Sequence, residues 1–404
     1  MYPDFPLPKA SKLNLNNLPI ALLKIGACLR EYDYDIELIF FDKDAQDPTQ
    51  TYLVDVVEDD LPDIIFVTSI FTYWSEAVKD AVQYYKKKYP NVPVIVGGIY
   101  ASIMPKHCRQ YTGCDEVVVG VLPDAEDVKP AYDLVDVDFQ ILHTTRGCTR
   151  QCKSCATYQI EPCYSFKDSI KDEVIYRKLV FYDNNFLGNP FIGNILDELV
   201  ELKKSRQILW CQCQSGLDGR ILLDNPELIY KMKQAGFKNI KIAWDGKYEE
   251  YDFIKQQIDI IANAGYKRKH ISVFMLYNHE LPYIELEKKR LKCYEYGVQV
   301  NHCRYRPLNQ TAEKYYPLRN NQTTEEYYIH PNWTDYEVKM FSRNVRGHNS
   351  CLRWDMSWHS YDYEKRRVPD HLMKELRNAT PQEAKKYIPL VYDPSILHTE
   401  RTYL

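Results

Sequence analysis

From residue 20 onward, two apolar patterns alternate along the chain. "PIALLKIGACLREY" spreads Ile20, Leu23, Ile25 and Leu29 over one buried face of a helix, whereas "IELIFF" (36–41) is short and almost wholly apolar, as in a strand covered on both sides. The pattern continues with a strand in "DIIFVTSIF" and a helix in "SEAVKDAVQYYKKKY", with Ser75 as its N-cap. A strand in "VPVIVGG", a short helix near Pro105 and a strand in "DEVVVG" follow. Strands separated by crossovers too long for hairpins predict an open parallel α/β sheet. The stretch 121–138, "VLPDAEDVKPAYDLVDVD", is acidic, holds two prolines and reads as a linker.

A second series runs through "FQILHTT", "LVFYDNN", "ILWCQCQ", "NIKIAWDG", "ISVFMLYN" and "VQVNHCRYRP". Helices such as "IGNILDELVELKKS" and "NPELIYKMKQAGF" lie between them. Six βα units within roughly 170 residues are too few for a closed eight-stranded barrel, so an open partial barrel is expected. In such folds the chemistry sits at the carboxyl ends of the strands. The polar residues there are Asp183, Asn184 and Asn185, Gln212 and Gln214, Asp245, Asn278 and Arg304. Past Pro307 the alternation fades into a polar, aromatic capping segment. No internal repeat or low-complexity tract is present. The boundaries read as 1–123, 124–308 and 309–404.

Composition narrows the class. The 404 residues are 45% hydrophobic and 27% charged, with a net charge of −4, so no overall basic field recruits nucleic acid or an anionic membrane. No apolar run reaches the ~18 residues of a membrane span, and the N-terminus lacks a signal-peptide core, which reads as a cytoplasmic protein. Twelve cysteines in such a chain point to metal or redox use more than to disulfides.

Three of the twelve are clustered. Cys148, Cys152 and Cys155 stand in "RGCTRQCKSC", directly after the first strand of the second series. A zinc site could recruit Cys163 as a fourth ligand, but the usual second pair is missing. A thioredoxin-type pair from Cys152 and Cys155 would not need Cys148. An iron–sulfur cubane held by three thiolates leaves one iron open to a non-protein ligand.

The spacing C-x3-C-x2-C in this position resembles the signature of the radical S-adenosylmethionine (radical SAM) superfamily. In place of the aromatic residue common before the third cysteine stands Ser154. The resemblance implies that the three cysteines bind a 4Fe–4S cluster whose fourth iron is chelated by SAM. Reductive cleavage of SAM then yields a 5′-deoxyadenosyl radical. It further implies that Asp183, Asn184 and Asn185 meet the SAM amino group, and that Gln214 and Asp245 contact its carboxylate and ribose. An electron donor such as flavodoxin or ferredoxin is implied as a partner.

The first sheet has neither G-x-G-x-x-G nor a phosphate-binding GK[ST] loop. Its layout resembles the cobalamin-binding Rossmann-like domain that precedes the barrel in one radical SAM subclass; together the resemblance spans roughly residues 15 to 310. It implies a cobalamin site on the loops Ser69, Ile70, Phe71, Thr72, Tyr73 and Trp74; Gly97, Gly98, Ile99, Tyr100 and Ala101; and Val119 and Gly120. No D-x-H-x-x-G occurs, and the first strand of such a sheet is expected to be missing before "MYPDFP".

The implied reaction is methyl transfer to an unactivated centre, one SAM remethylating cobalamin and a second forming the radical. The alternatives are a radical SAM isomerase, oxidase or cyclase that does not methylate, and a non-catalytic iron–sulfur protein. The substrate, a small molecule or a peptide, is not legible. His302 and Cys303, ending the last strand, are candidates for acid–base or hydrogen-donor chemistry, and Cys303 with Cys351 for a redox pair; core packing is the plainer reading of both cysteines. Arginines among aromatics in the tail (Arg343, Arg346, Arg353, Trp354, Trp358, Arg366, Arg367) could stack on nucleic acid, but interleaved acids favour a solvated cap.

Overall fold

The computed structural model of the chain describes residues 1–7, 17–42, 61–150 and 152–354. Two compact units account for it. The first comprises Met1–Phe191 with Arg306–Lys314, the second Ile192–Tyr305 with Tyr315–Leu404.

In the first unit, β1 (Ile65–Ser69), β2 (Val94–Gly98) and β3 (Glu116–Val117) form a parallel sheet, pairing Ile65 with Val94 and Ile95 with Glu116. Helices α1 (Ile20–Arg30), α2 (Ser75–Lys88), α3 (Ile99–Ile103) and α4 (Pro105–Thr112) supply the crossovers. Helix α2 buries Val78, Ala81, Val82 and Tyr85, the i, i+3, i+4, i+7 stripe that its sequence predicts. Ser75 does not cap it. Trp74 holds that position, and the Ser75 hydroxyl donates instead to the carbonyl of Thr311 at 2.7 Å.

One expectation for this sheet is corrected. The run "IELIFF" is not a full strand, because among the described residues its ladder partner is only two residues long: Tyr2 N–H donates to Ile39 O at 2.8 Å and Phe41 N–H to Tyr2 O at 2.9 Å. Met1 and Tyr2 also touch the sheet itself, since Met1 N donates to Phe66 O at 2.8 Å and Thr68 N–H to Met1 O at 3.2 Å. The 121–138 stretch is no free linker either. Its short 3₁₀ turns, Pro123–Ala125 and Tyr132–Leu134, are fastened to α1 through Ala131 N–H on Leu23 O (3.0 Å) and Arg30 on Asp133.

The unit continues with β4 (Gln140–Leu142) and β5 (Thr145–Arg146). Then come the three-cysteine loop, α5 (Thr157–Ile160), β6 (Ser165–Phe166) and β7 (Lys178–Phe181). Strands β4 and β7 run parallel, whereas β5 and β6 form an antiparallel hairpin that hydrophobic periodicity does not announce.

The second unit holds α6 (Ile192–Lys204), β8 (Trp210–Cys213), α7 (Gly219–Asp224), α8 (Glu227–Gln234), β9 (Lys241–Ala243), α9 (Tyr251–Asn263), β10 (Ser272–Tyr277), α10 (Tyr283–Glu295), β11 (Gln299–Arg304) and α11 (Asp335–Trp354). All six strands expected in the second half of the chain are therefore present, and β9, β10 and β11 pair in parallel. Helix α11 lies on β11, its Asn349 side chain both donating to and accepting from the backbone of Val300. Among the described residues, no helix is long and apolar enough to cross a membrane.

Two histidines in this packing are held neutral. Burial pushes His348 down to about 3 and His302, with help from the charge of Arg346, down to about 4. Both lie below the ordinary histidine value of 6.5, so unfolding takes up protons as the pH falls. Their stabilising contribution is whole above pH 6.5 and is lost on going down through pH 4 towards 3. Urea titrations at pH 7.5 and pH 5 are expected to differ by several kcal/mol. Each histidine loses about 1.4 kcal/mol of its contribution for every tenfold rise in proton concentration across that window. Placing glutamine at both positions flattens the difference; an unchanged difference would assign the acid sensitivity to other groups.

Candidate functional site

The turn that leads into the cysteine loop is built around Gly147. Its φ is +71°, and a Cβ there would stand 2.7 Å from the carbonyl oxygen of Cys163, so only glycine lets the two arms of the β5–β6 hairpin approach so closely. After it, Cys148 and Cys155 are half-buried and Cys152 is exposed. The Arg150 amide donates to Cys148 Sγ at 3.4 Å, and Cys155 Sγ lies 3.1 Å from the hydroxyl of Thr157. Among the described residues, no group of three or more His, Cys, Asp or Glu side chains stands close enough together to hold one metal ion. The donor set nevertheless fits an iron–sulfur cluster: three accessible thiols on one short loop, two of them already near the hydrogen-bonding groups that iron-bound sulfurs use.

The loop is braced by groups that the cysteine spacing does not reveal. Arg146 makes a two-pronged pair with Glu126 (2.6 and 2.9 Å) and reaches Glu161 at 3.1 Å. Lys24 of α1 joins Glu126 at 3.5 Å. These positive charges, with Lys167, surround His143, whose pKa lies far below the ordinary value chiefly because it is buried and secondarily because of Arg146, Lys24 and Lys167. His143 is thus a neutral imidazole. Arg146 and Glu161 were legible only as residues flanking the cysteines, and His143 only as a residue within a strand.

The "YDNN" residues end β7. Asp183 is buried, and its Oδ1 accepts from the amides and hydroxyls of both Thr144 and Thr145, at 2.6 to 2.9 Å. This locks β7 to the β4–β5 junction. Its Oδ2 has no hydrogen-bond partner, and burial raises its pKa against the pull of those four donors. Asn185 is also buried, with Oδ1 unpartnered. Asn184 is exposed; its amide nitrogen donates to Glu161 at 3.1 Å and its oxygen accepts from Thr157 at 3.1 Å. Two buried acceptor atoms without donors on one loop suit a ligand rich in N–H groups, such as an ammonium.

In the second unit, Gln214 is half-buried after β8, its carbonyl accepting from Lys241 at 3.2 Å. Asp245 is exposed after β9. The turn that carries it is clamped by Lys289, which is buried and donates to the carbonyls of Trp244 (2.7 Å) and Gly246 (2.9 Å). Burial pushes Lys289 down to about 8. Four other polar strand-end or adjacent residues serve structure. Gln212 accepts from Asn239, and Asn278 bridges to Tyr328 and His330. Arg304 lies over the rings of Tyr315 and Tyr327, while His302 faces Ser342 of α11 at 2.9 Å. Cys303 is exposed and Cys351 buried. Trp358, Arg366 and Arg367 lie outside the described residues.

The loops after β1, β2 and β3 divide in two. Ser69, Thr72, Tyr100 and Ala101 are buried and build the loop frame: the Ser69 hydroxyl donates to Gly97 O (2.7 Å) and accepts from Ala101 N–H (3.1 Å). Gly98, at φ +97°, comes so close to Ser69 that a Cβ would lie 2.2 Å from its carbonyl oxygen. Phe71, Ile99 and Val119 instead expose 39%, 39% and 53% of their surface, so apolar side chains crown the end of the sheet. Phe71 stacks on Tyr73 (5.0 Å, 7°), over which the Arg306 guanidinium sits at 4.3 Å. Trp74 meets Phe71 edge-on, and Ile70 is half-buried beside it. This crown borders the cysteine loop: α3 packs on α5, and a Cβ on Gly120 would stand 3.1 Å from the carbonyl oxygen of Ile160.

Residues 10–129 match the B12-binding domain family. No match was found among curated protein sequences. Among solved structures the chain is similar to a radical S-adenosylmethionine methyltransferase, TsrM, from Kitasatospora setae. With cobalamin and a 4Fe–4S cluster bound, that structure superposes with a TM-score of 0.55 at 13% identity, over 72% of this chain and 74% of that one. With tryptophan substrate and the SAM analogue aza-SAM bound, the TM-score is 0.50 at 14% identity, over 70% of each chain. At such identity the likeness is one of fold. Both findings fall on the subclass that the cysteine spacing and the first sheet resemble: this chain has the fold of a cobalamin-binding radical SAM methyltransferase, with a B12-binding-type domain at residues 10–129.

Proposed function

We propose that the chain is a cobalamin-dependent radical SAM methyltransferase acting on a small-molecule or peptide substrate. The observation that carries this reading is the packing of the apolar crown of the first sheet against the three-cysteine loop within one compact unit. A corrin carrier and a SAM-cleaving cluster serve one reaction only where their sites adjoin.

Cys148, Cys152 and Cys155 would hold the cluster, and the loops from Ser69 to Trp74, Gly97 to Ala101 and Val119 to Gly120 would hold cobalamin. When bound, the cluster supplies single electrons for SAM cleavage and cobalamin carries a methyl group. The chain's own residues bind and orient. Gly98 and Gly120, whose missing side chains admit the backbone of Ser69 and Ile160, shape the loops that would face a flat ligand. Phe71, Ile99 and Val119 offer it apolar cover and exclude water. Asp183 and Asn185 hold acceptors for an ammonium, and Asn184 supplies a further polar contact for SAM. The residues lie in the six-strand series that we read as a partial barrel after a Rossmann-like domain, divided near residues 123 and 308. The reducing electron would come from a flavodoxin- or ferredoxin-type carrier.

The test is anaerobic reconstitution with iron, sulfide and hydroxocobalamin, followed by desalting and incubation with SAM and a reductant. The expected result is a protein that keeps both chromophores and forms 5′-deoxyadenosine and S-adenosylhomocysteine. Deoxyadenosine without retained cobalamin would move the chain to the non-methylating radical SAM enzymes. Absence of both products would leave an iron–sulfur protein without this activity.

A further inference from the structure

The three-cysteine loop is closed by a ring of hydrogen bonds. Glu161 is its hub: Oε2 accepts the Gly147 amide at 2.7 Å, immediately before Cys148, and the Asn184 side-chain amide at 3.1 Å. Its other oxygen takes Arg146 at 3.1 Å. From Asn184 the ring runs to the Thr157 hydroxyl (3.1 Å) and from there to Cys155 Sγ (3.1 Å). Two of the three cysteines and one of the residues facing SAM are thus joined through two side chains, Glu161 and Thr157, that no part of the cysteine pattern contains.

Donor arithmetic gives the ring a direction. The Thr157 hydroxyl has a single proton to give. In the chain without iron, that proton serves the Asn184 oxygen, with Cys155 able to act as donor on the other side. A sulfur bonded to iron carries no proton and can only accept. The hydroxyl then stands between two acceptors, and donation to the sulfur leaves the Asn184 oxygen open to a donor from a ligand. Glu161 keeps the Asn184 nitrogen in place throughout, so the amide cannot simply turn round.

We propose that Glu161 and Thr157 are positioning residues that couple iron binding at Cys148 and Cys155 to the readiness of Asn184 for SAM. This rests on the function proposed above. The test uses the full chain, reconstituted anaerobically, as wild type and as Glu161→Gln, Thr157→Val and Thr157→Ser. Four quantities are read: iron content, the EPR spectrum of the reduced cluster with and without SAM, the cluster's reduction potential, and SAM affinity by equilibrium dialysis. Glu161→Gln is expected to weaken SAM binding about tenfold, the effect of one lost charged hydrogen bond. Thr157→Val is expected to shift the EPR spectrum before SAM is added and to lower the cluster's reduction potential, with Thr157→Ser restoring both. A merely structural threonine would move stability and not the potential. If Glu161→Gln does not fold, the Thr157 pair still decides. Loaded variants identical to loaded wild type in spectrum and affinity would overturn this inference alone. A wild type that takes up no iron would overturn the proposed function and this inference with it.

Discussion

Replacing Glu287 by alanine lowers the unfolding free energy of the second unit by about 3–5 kcal/mol. Glu287 and Arg290 lie one turn apart on α10 and are almost wholly buried, at 1% and 0% exposure. Arg290 Nε contacts both carboxylate oxygens at 3.1 Å, and Nη2 reaches one of them at 2.8 Å. Removing the carboxylate takes the paired anion from a guanidinium that cannot give up its proton, in a place where water does not reach it. The pair itself is a different matter, because desolvating two ions offsets most of their attraction. Glu287→Met with Arg290→Leu is therefore expected to unfold within about 1 kcal/mol of wild type, or above it. Urea titrations of the two singles and the double settle this as a cycle. A loss below about 1 kcal/mol for the alanine variant would mean that solvent or another anion reaches Arg290 in the folded chain.

Serine at Cys148, at Cys152 or at Cys155 is expected to abolish SAM cleavage, while serine at Cys163 leaves it intact. All four thiols are accessible to some degree, and Cys163 lies beside the loop, its carbonyl against Gly147. Accessibility thus does not separate them, but the loop does. Cys148 and Cys155 already stand beside an amide and a hydroxyl able to support an iron-bound sulfur, and Cys152 donates its amide to Arg150 O and accepts that of Cys155. Losing one of three thiolates removes the cluster's geometry and its charge balance together, so the fall should reach the detection limit rather than a fraction. Iron content and deoxyadenosine formation measured on all four variants provide the check. Equal loss in the Cys163 variant would promote Cys163 to a ligand and change the identity of the site.

Much of this was legible because period and spacing are local properties. The strands after residue 139 reveal themselves as apolar runs, and the stripe of α2 reads directly as a buried face. Cys148, Cys152 and Cys155 stand out by their spacing alone. The bracing groups were not legible, since Glu126, Arg146 and Glu161 come from three separate stretches and mean nothing until the fold gathers them. Nothing in the spacing of α10 singles out Lys289, yet its length lets a charged tip reach the carbonyls of Trp244 and Gly246. Asp183 was named as a ligand-facing residue, and one of its oxygens is spent on two threonines that periodicity cannot pair with it. The contact of His302 with Ser342 was hidden for the opposite reason: a strand shows which residues alternate, not which side a later helix will cover.

The nine residues Arg306–Lys314 belong to the first unit although the chain reaches them only after building most strands of the second. They supply the carbonyl that fixes Ser75 and the arginine over Tyr73. During synthesis, therefore, the domain begun first cannot be finished first. Its loop from Phe71 to Ser75 must wait on the ribosome until some 230 further residues have emerged. A fragment ending at Phe191 would carry the whole parallel sheet and the three cysteines yet lack this late strap, so dissecting the protein by truncation should yield a first unit with an unfastened crown.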